Sequence, residues 1–344
     1  MAFRECFGHR RLIAVLAGAV RRDSLPPALL FSGPEGVGKR HVALALAQAL
    51  NCPAAGVHGP LEPFEIDGCG VCPTCQRIAR GVHPDVHIVE PGDIGNIKVD
   101  QVRDVVDRAG YRPFEGRRRV VVIDRADALI PQAQNALLKT LEEPPAGSVF
   151  VLVTARPDVL LPTVRSRCPQ LRFQPLADDE VVAALVAAGR TENQARALAS
   201  DAEGSIGRAL QASGGEVTES REIAVLALEH AAASNEPKRR IDGAKILLAG
   251  SGTGGARDRE QLATHLRAMA AVLRDVALLA TGASTGRARV DSDRVASVTS
   301  RSQALSAFRG ERGLRAFAAV DQALVALDRY GSPKIVADWV LMQL

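Results

Sequence analysis

Long apolar segments and aromatic residues are both scarce in this sequence. No run approaches the ~18 apolar residues of a membrane-spanning helix, so a membrane protein is excluded. Phe, Tyr and Trp make up only 3% of the 344 residues, and the basic residues are mostly arginine, which indicates an alanine- and arginine-rich composition typical of a high-GC genome. The number of arginines is therefore weak evidence for a nucleic-acid-binding surface.

A strong charge bias is also missing. The formal net charge is +4 and the isoelectric point about 8.8, which is compatible with contact to nucleic acid but not with a dedicated basic binding face. The apolar stretch Leu12–Val20 follows two arginines and imitates a signal peptide, but it is short and is followed at once by Arg21–Asp23. We expect it to be an amphipathic helix of a cytosolic (cytoplasmic) protein.

The segment from Gly33 to Arg40 reads Gly-Pro-Glu-Gly-Val-Gly-Lys-Arg, which is a phosphate-binding loop with an altered last position. In the pattern G-x-x-x-x-G-K-[ST], backbone N–H groups and the lysine hold nucleotide phosphates, and the final hydroxyl holds magnesium. Arg40 has no hydroxyl and places a cation where a metal ligand belongs. The other candidate phosphate-binding residues of this degenerate loop are Gly33, Gly36, Gly38 and Lys39.

A second altered position follows the apolar run Val120–Asp124. A carboxylate at the end of such a strand orients magnesium and polarises water in P-loop enzymes. In active relatives of this architecture the next residue is a glutamate that acts as general base, whereas Arg125 stays protonated and cannot accept a proton. We therefore predict no intrinsic ATPase activity, and a pocket that binds ATP and Mg²⁺ weakly or not at all.

Apolar runs and helical patterns alternate in the first half of the chain. Strand candidates separated by amphipathic helices predict a parallel sheet covered on both faces, hence an α/β P-loop fold. The predicted strands are Ala28–Ser32, Val86–Val89, Arg119–Ile123, Val149–Val153 and a last one near Leu171–Phe173. The predicted domains are 1–173 (α/β, with a cysteine module at about 52–75), 174–213 (small and helical) and 214–344 (all-helical).

Four cysteines are spaced as metal ligands. Cys69, Cys72 and Cys75 form a C-x-x-C-x-x-C knuckle, and Cys52 supplies a fourth thiol. Disulfides are rare in cytosolic proteins, and redox chemistry would need only two of the sulfurs. Because four ligands leave no open position for a substrate, we predict a structural Zn²⁺ site, with catalytic or nucleic-acid-binding roles as the alternatives.

An arginine-rich loop, Arg165-Ser166-Arg167-Cys168-Pro169, separates the last two predicted strands. Such an arginine is often only a solvated charge. It can also be an arginine finger that reaches the γ-phosphate of a neighbouring subunit and stabilises the charge of the transition state. The residues alone leave both interpretations open for Arg167.

Longer sequence strings resemble a known family. Ala136–Pro145 (Ala-Leu-Leu-Lys-Thr-Leu-Glu-Glu-Pro-Pro), Ser166-Arg167-Cys168 and the four-cysteine insert resemble bacterial clamp-loader subunits of the AAA+ class, over about residues 1–212. Within that family, His83–Val86 and Ile97–Arg103 are similar to the stator subunit of the DNA polymerase III clamp loader rather than to its gamma/tau motor subunit.

The resemblance implies an AAA+ domain with a RecA-like sheet, a helical lid at 174–213 and a collar at 214–344. It implies a subunit ring that uses ATP to place a sliding clamp on primer–template DNA, with gamma/tau motor and clamp-opening delta subunits as partners. Arg167 would act as an arginine finger in trans, and Thr154 and Arg208 fall where the family has its two nucleotide sensors.

Two other functions remain as alternatives. An active gamma/tau-type ATPase would show magnesium-dependent turnover in isolation despite Arg40 and Arg125. A zinc-containing nucleic-acid-binding adaptor would show salt-sensitive DNA affinity that is lost when Cys72 and Cys75 are replaced. Arg117–Arg119 and Lys238–Arg240 are candidate phosphate contacts or solvated faces.

Overall fold

The computed structural model describes residues 2–55, 66–92, 95–211, 216–233, 236–248, 256–281, 303–328 and 331–344. The chain divides into two compact units, Met1–Gln211 and Ala212–Leu344. The first unit holds nearly all of the predicted domains 1–173 and 174–213. Residues 212–215, where the predicted third domain begins, lie outside the described residues, so the division into three domains stays a prediction.

Five parallel strands form the sheet of the first unit. They are β1 (Ala28–Ser32), β2 (Val86–Val89), β3 (Arg119–Ile123), β4 (Ser148–Thr154) and β5 (Gln170–Arg172). The order across the sheet is β2-β3-β4-β1-β5. β1, β3 and β4 are buried along their whole length, as expected for parallel strands with helices on both faces. The predicted parallel α/β sheet is confirmed, and the predicted strands match to within one residue.

Helices cover both faces of this sheet. They are α1 (Arg10–Arg21), α2 (Lys39–Asn51), α3 (Pro73–Ala79), α4 (Val99–Ala109), α5 (Pro131–Glu142) and α6 (Pro162–Arg165). Alternate strand residues point to opposite faces. Leu29 and Phe31 therefore join the core formed with α1 and α2, whereas Leu30 and Phe150 join the core formed with α4 and α5. The helix expected at Leu12–Val20 is confirmed as α1.

Three short helices complete the first unit: α7 (Asp178–Ala187), α8 (Glu192–Asp201) and α9 (Ile206–Gln211). They pack around a small core of their own that includes Leu176, Val181 and Leu185. Thr191 caps α8 by accepting a hydrogen bond from the backbone N–H of Gln194. Residues 174–211 are the described part of the predicted helical domain 174–213, and we refer to them as the lid, a role that stays a prediction.

The described part of the second unit is helical. Its helices are α10 (Glu216–Ala233), α11 (Pro237–Leu247), α12 (Ala256–Thr281), α13 (Glu311–Asp328) and α14 (Pro333–Gln343). They share one apolar core, which contains Leu228, Leu266 and Phe308. No helix among the described residues combines the length and apolar character needed to cross a membrane.

The sheet brings separate sequence motifs to one edge. The carboxyl ends of neighbouring parallel strands lie side by side, and Ser32 at the end of β1 is paired with Thr154 at the end of β4. The P-loop follows Ser32. Asp124 follows β3, which is the neighbour of β4 on the side away from β1. The candidate nucleotide site is therefore at the carboxyl edge of the central strands, where open α/β sheets bind ligands.

Candidate functional site

The P-loop connects β1 to α2 and is packed closely against the rest of its own unit. Gly33 and Gly36 have φ angles of 142° and 73°, in the region that favours glycine. A Cβ atom on Gly33 would lie 2.2 Å from the carbonyl oxygen of Phe173, and one on Gly36 would lie 2.2 Å from Oγ of Ser205. Gly38, with φ 97°, is the N-cap of α2. Backbone conformation and packing alone therefore require glycine at the first two positions.

Lys39 is directed at the loop itself. Its Nζ donates to the carbonyl oxygens of Gly33 at 2.7 Å and Pro34 at 2.5 Å. Burial lowers the pKa of Lys39, although the nearby carboxylates of Glu35 and Asp124 act in the opposite direction. The ammonium that reaches the β- and γ-phosphates in an active P-loop is here hydrogen-bonded to the loop's own carbonyls.

The guanidinium of Arg40 lies between two carboxylates. Its Nη1 is 3.1 Å from Oδ2 of Asp124 and also pairs with the carboxylate of Glu90. The other oxygen of Asp124 accepts the backbone N–H of Arg125 at 3.0 Å. Arg125 has a left-handed backbone, with φ 53°. These residues do not fit a magnesium ion, because a cation replaces the hydroxyl ligand and already binds the carboxylate.

Thr154, the first candidate sensor, takes part in a hydrogen-bonded cluster at the end of β4. Its Oγ1 donates to Oδ1 of Asp127 at 2.9 Å. The second oxygen of Asp127 accepts both Nε and Nη2 of Arg156, at 3.2 and 2.8 Å, so two N–H groups of one guanidinium converge on a single carboxylate oxygen. Thr154 is therefore bonded to a neighbouring carboxylate at the edge of the pocket.

Arg208, the second candidate sensor, lies in the lid helix α9. Its Nη1 donates to Glu203 at 2.9 Å, and its backbone N–H donates to Oγ of Ser205 at 3.2 Å. The lid also contacts the P-loop directly, because the N–H of Gly207 donates to the carbonyl oxygen of Gly36 at 2.9 Å. The structure thus brings the helix that carries the candidate second sensor to the P-loop, while the Arg208 side chain is paired inside the lid.

Arg167 lies on the loop between α6 and β5, with about a third of its side chain exposed. Nη1 donates to the carbonyl oxygen of Thr163 at 2.9 Å and to Oγ of Ser166 at 3.3 Å, and Nη2 pairs with Glu142. Glu142 belongs to the Leu-Glu-Glu-Pro-Pro string at the end of α5. Glu142 and Arg167, which are 25 residues apart in the chain, therefore form an ion pair that joins the two sequence strings.

The four cysteines come together at the other end of α2. Their Sγ atoms all lie within 4.8 Å of one another, as four ligands of one ion would. Backbone N–H groups of Cys69, Cys72 and Cys75 point at Sγ of Cys52, Cys69 and Cys72, at 3.4, 3.3 and 3.4 Å. The donor set and its closeness fit a tetrahedral Zn²⁺ ion. Cys6 and Cys168 are not members of this group.

The knuckle is anchored to the N-terminal segment by Asp67. This buried carboxylate accepts the backbone N–H groups of Phe3 at 2.7 Å and Arg4 at 3.1 Å. Burial raises the pKa of Cys52 and Cys75, whereas at Cys69 the N–H groups of Cys72 and Val71 outweigh burial and lower the pKa to about 7. Among Cys52, Cys69 and Cys75, Cys69 is thus the thiol closest to the thiolate form that metal binding requires.

Several partners of the predicted site residues are not singled out by the sequence patterns above. Glu90 pairs with Arg40, Glu142 pairs with Arg167, and Asp127 accepts a hydrogen bond from Thr154. Arg156 pairs with Asp127, and its backbone N–H donates to Oγ1 of Thr154 at 3.0 Å. Glu90 and Arg156 follow the ends of β2 and β4, so strand ends in a parallel sheet are the one pattern that would have pointed to them. Pairing partners on other elements are set by the fold and cannot be read from spacing.

Comparisons with known proteins agree with the family resemblance that the sequence strings of the first unit indicate. A family model described as "DNA polymerase III, delta subunit" matches residues 8–177. The delta' subunit of DNA polymerase III from Bacillus subtilis is 35% identical over 189 residues, which are 55% of this chain and 54% of that protein. The delta' subunit from Pseudomonas aeruginosa is 42% identical over 144 residues, 42% of each chain.

Gamma/tau subunits also match this chain. The gamma/tau subunit of DNA polymerase III from Mycobacterium tuberculosis is 36% identical over 173 residues, which are 50% of this chain and 28% of that protein. The chain spans about half of the length of the Bacillus subtilis relative, at 54%, and less of the others. The one match whose position is known, that of the family model, lies within the first unit, at residues 8–177.

Proposed function

We propose that this chain, whose residues 8–177 belong to the DNA polymerase III delta-subunit family, serves as the delta-prime (stator) subunit of a bacterial clamp loader. The observation that carries the proposal is the Arg40–Asp124 ion pair in the P-loop pocket, together with Arg125 at the position of the general base. A pocket of this kind suits a subunit that takes part in an ATP-driven machine without hydrolysing ATP itself.

The proposed partners follow from that role. The subunit would assemble with gamma/tau motor and delta subunits in the cytoplasm, and the ring would load a sliding clamp on primer–template DNA. The all-helical second unit would supply the collar contacts. Zn²⁺ bound by the four cysteines would have a structural role, because all four tetrahedral positions would be occupied by protein.

Arg167 is the residue through which the stator would act on its neighbour. It is partly exposed, and Thr163, Ser166 and Glu142 hold its guanidinium at the loop between α6 and β5. An arginine held in this way is preorganised, so a γ-phosphate from an adjoining subunit can replace the carboxylate of Glu142 as its partner. We assign Arg167 the role of an arginine finger in trans.

The test is ATP hydrolysis by the reconstituted clamp loader, stimulated by clamp and primed DNA. Arg167→Ala is expected to slow hydrolysis at the motor site that it faces by about 10³-fold or more, in line with the contribution of arginine fingers. Pre-steady-state measurements separate that site from the other motor sites. Arg165→Ala is the matched control, since Arg165 is the last residue of α6, two positions before Arg167, and pairs only with the exposed Asp158 among the described residues.

The outcomes distinguish the alternatives. Unchanged hydrolysis and clamp loading with Arg167→Ala, in a ring that assembles normally by size-exclusion chromatography, would contradict the finger. Magnesium-dependent turnover by the isolated wild-type chain would instead support a gamma/tau-type motor. Salt-sensitive DNA binding by the isolated chain, lost on replacement of Cys72 and Cys75, would support the adaptor.

A further inference from the structure

We propose that the guanidinium of Arg40 takes the place of magnesium in this P-loop fold, as a permanently attached cation that ties the pocket together. Arg40 lies in the first turn of α2, Asp124 follows β3, and Glu90 follows β2. One guanidinium therefore links three elements at the carboxyl edge of the sheet. The inference concerns the chain's own pocket and does not depend on the clamp-loader role.

The charges around Arg40 explain why a second cation is excluded. Asp124 is mostly buried, with 17% of its side chain exposed, and Arg40 and the N–H of Arg125 bind its two oxygens. Without Arg40, Asp124 and Glu90 would be two carboxylates beside an open cleft, which is an arrangement that attracts a divalent cation. Arginine stays charged at every physiological pH, so the substitution for the metal is permanent.

Other contacts of the P-loop are also made from within the chain. Lys39 donates to the loop carbonyls, and Gly207 of the lid donates to the carbonyl oxygen of Gly36. The ring of His9 contacts the carbonyl oxygen of Val37 through Nε2 at 3.0 Å. These contacts from Lys39, Gly207 and His9 stabilise the conformation of the loop. The guanidinium of Arg40 adds a positive charge beside Asp124.

The test measures Mn²⁺ binding by electron paramagnetic resonance on the full chain with Zn²⁺ already supplied. Wild type is expected to bind no Mn²⁺ at Asp124. Arg40→Ser is expected to gain one bound Mn²⁺, with an affinity at least about tenfold above any residual binding by wild type, because a neighbouring positive charge is removed and a hydroxyl ligand is added. The double variant Arg40→Ser/Asp124→Asn is expected to lose that gain, and Arg11→Ser, on the exposed surface of α1, is expected to match wild type.

Two further variants make the test independent of any one substitution. Arg40→Lys keeps a cation and is expected to bind no Mn²⁺, whereas Arg40→Gln removes the charge at similar length and is expected to bind it. Circular dichroism verifies that each variant is folded. Equal Mn²⁺ binding by wild type and both uncharged variants, or a gain that persists with Asp124→Asn, would overturn the proposal.

Discussion

The two ends of helix α2 differ in how they treat a cation. At its N-terminus, Lys39 and Arg40 extend from a P-loop whose strand-end carboxylate, Asp124, is already paired with arginine. At its C-terminus, Cys52 meets three further thiols whose sulfur atoms lie within 4.8 Å of one another. At the N-terminal end, the chain has the backbone of a metal-binding loop, but an arginine already binds its carboxylate. At the C-terminal end, four thiols form a complete set of metal ligands, and none of these ligands is a cation.

The difference shows that a motif's backbone and its chemistry can separate. Packing of Phe173 and Ser205 requires glycine at Gly33 and Gly36, although the hydroxyl ligand is absent. At the other end, Cys52 and Cys75 are buried, and all four sulfur atoms lie together as the ligands of one ion would. We therefore expect metal to matter greatly at one end of α2 and not at the other, and the following experiments test that difference.

Removing metal from the knuckle is expected to have the largest effect. Chelation, or Cys75→Ser, should release one Zn²⁺ and lower the free energy of unfolding by at least about 3 kcal/mol, because folding and metal binding are coupled and the buried thiols lose their common partner. Zinc content by mass spectrometry and denaturant unfolding measure this. Cys6→Ser, outside the knuckle, should keep its zinc; a Cys75→Ser protein with full zinc content would contradict the four-ligand site.

Some features of the first unit could be predicted from the sequence, and others could not. The strands, the P-loop, Asp124 and the cysteine knuckle could be predicted because each depends on local spacing or on hydrophobic runs. The ion pairs of Arg40 with Glu90 and of Arg167 with Glu142 could not, since their partners are 50 and 25 residues away and meet only in the folded unit. The direction of Lys39 toward its own loop was equally unpredictable, because it depends on rotamers and not on residue type.

Asp85, like Asp124, is a carboxylate paired with an arginine and backbone N–H groups of the same chain. Its pKa tests whether such pairing stabilises the fold. Burial would raise the pKa of Asp85, but the N–H groups of Glu115, Phe114 and Gly116 and the guanidinium of Arg119 outweigh it and lower the pKa to about 2. A carboxyl whose pKa is lower in the folded state stabilises the fold above its unfolded pKa of about 4.

That stabilisation, about 2 kcal/mol, should be fully present at neutral pH and lost as the pH falls from about 4 to about 2. Asp85→Asn should lower the free energy of unfolding at pH 7 by about 2 to 3 kcal/mol, since buried Arg119 loses its counter-charge. Urea titrations across this pH range measure both effects. Asp104→Asn, on the exposed face of α4, is the control; an acid-induced loss of the same size in Asp85→Asn and wild type would assign it to other groups.

The smallest expected effect isolates the contact between the lid and the P-loop. Gly36 and Gly38 both have positive φ angles, so alanine is strained at either position by about 1 kcal/mol. A Cβ on Gly36 would also meet Ser205 and Gly207 of the lid, whereas a Cβ on Gly38 would meet no atom within 4 Å. Both variants carry a backbone penalty, and only Gly36→Ala carries the additional contact with the lid.

Gly36→Ala should therefore be less stable than Gly38→Ala by about 1 kcal/mol, the cost of moving the lid or rotating the Ser205 side chain. Thermal and urea unfolding measure that difference. Adding Ser205→Ala to Gly36→Ala removes the closest atom and should recover part of it. Equal stability of the two glycine variants would mean that the lid or the Ser205 side chain moves away from Gly36 without a measurable cost in free energy, and would contradict a stabilising contact between the lid and the P-loop.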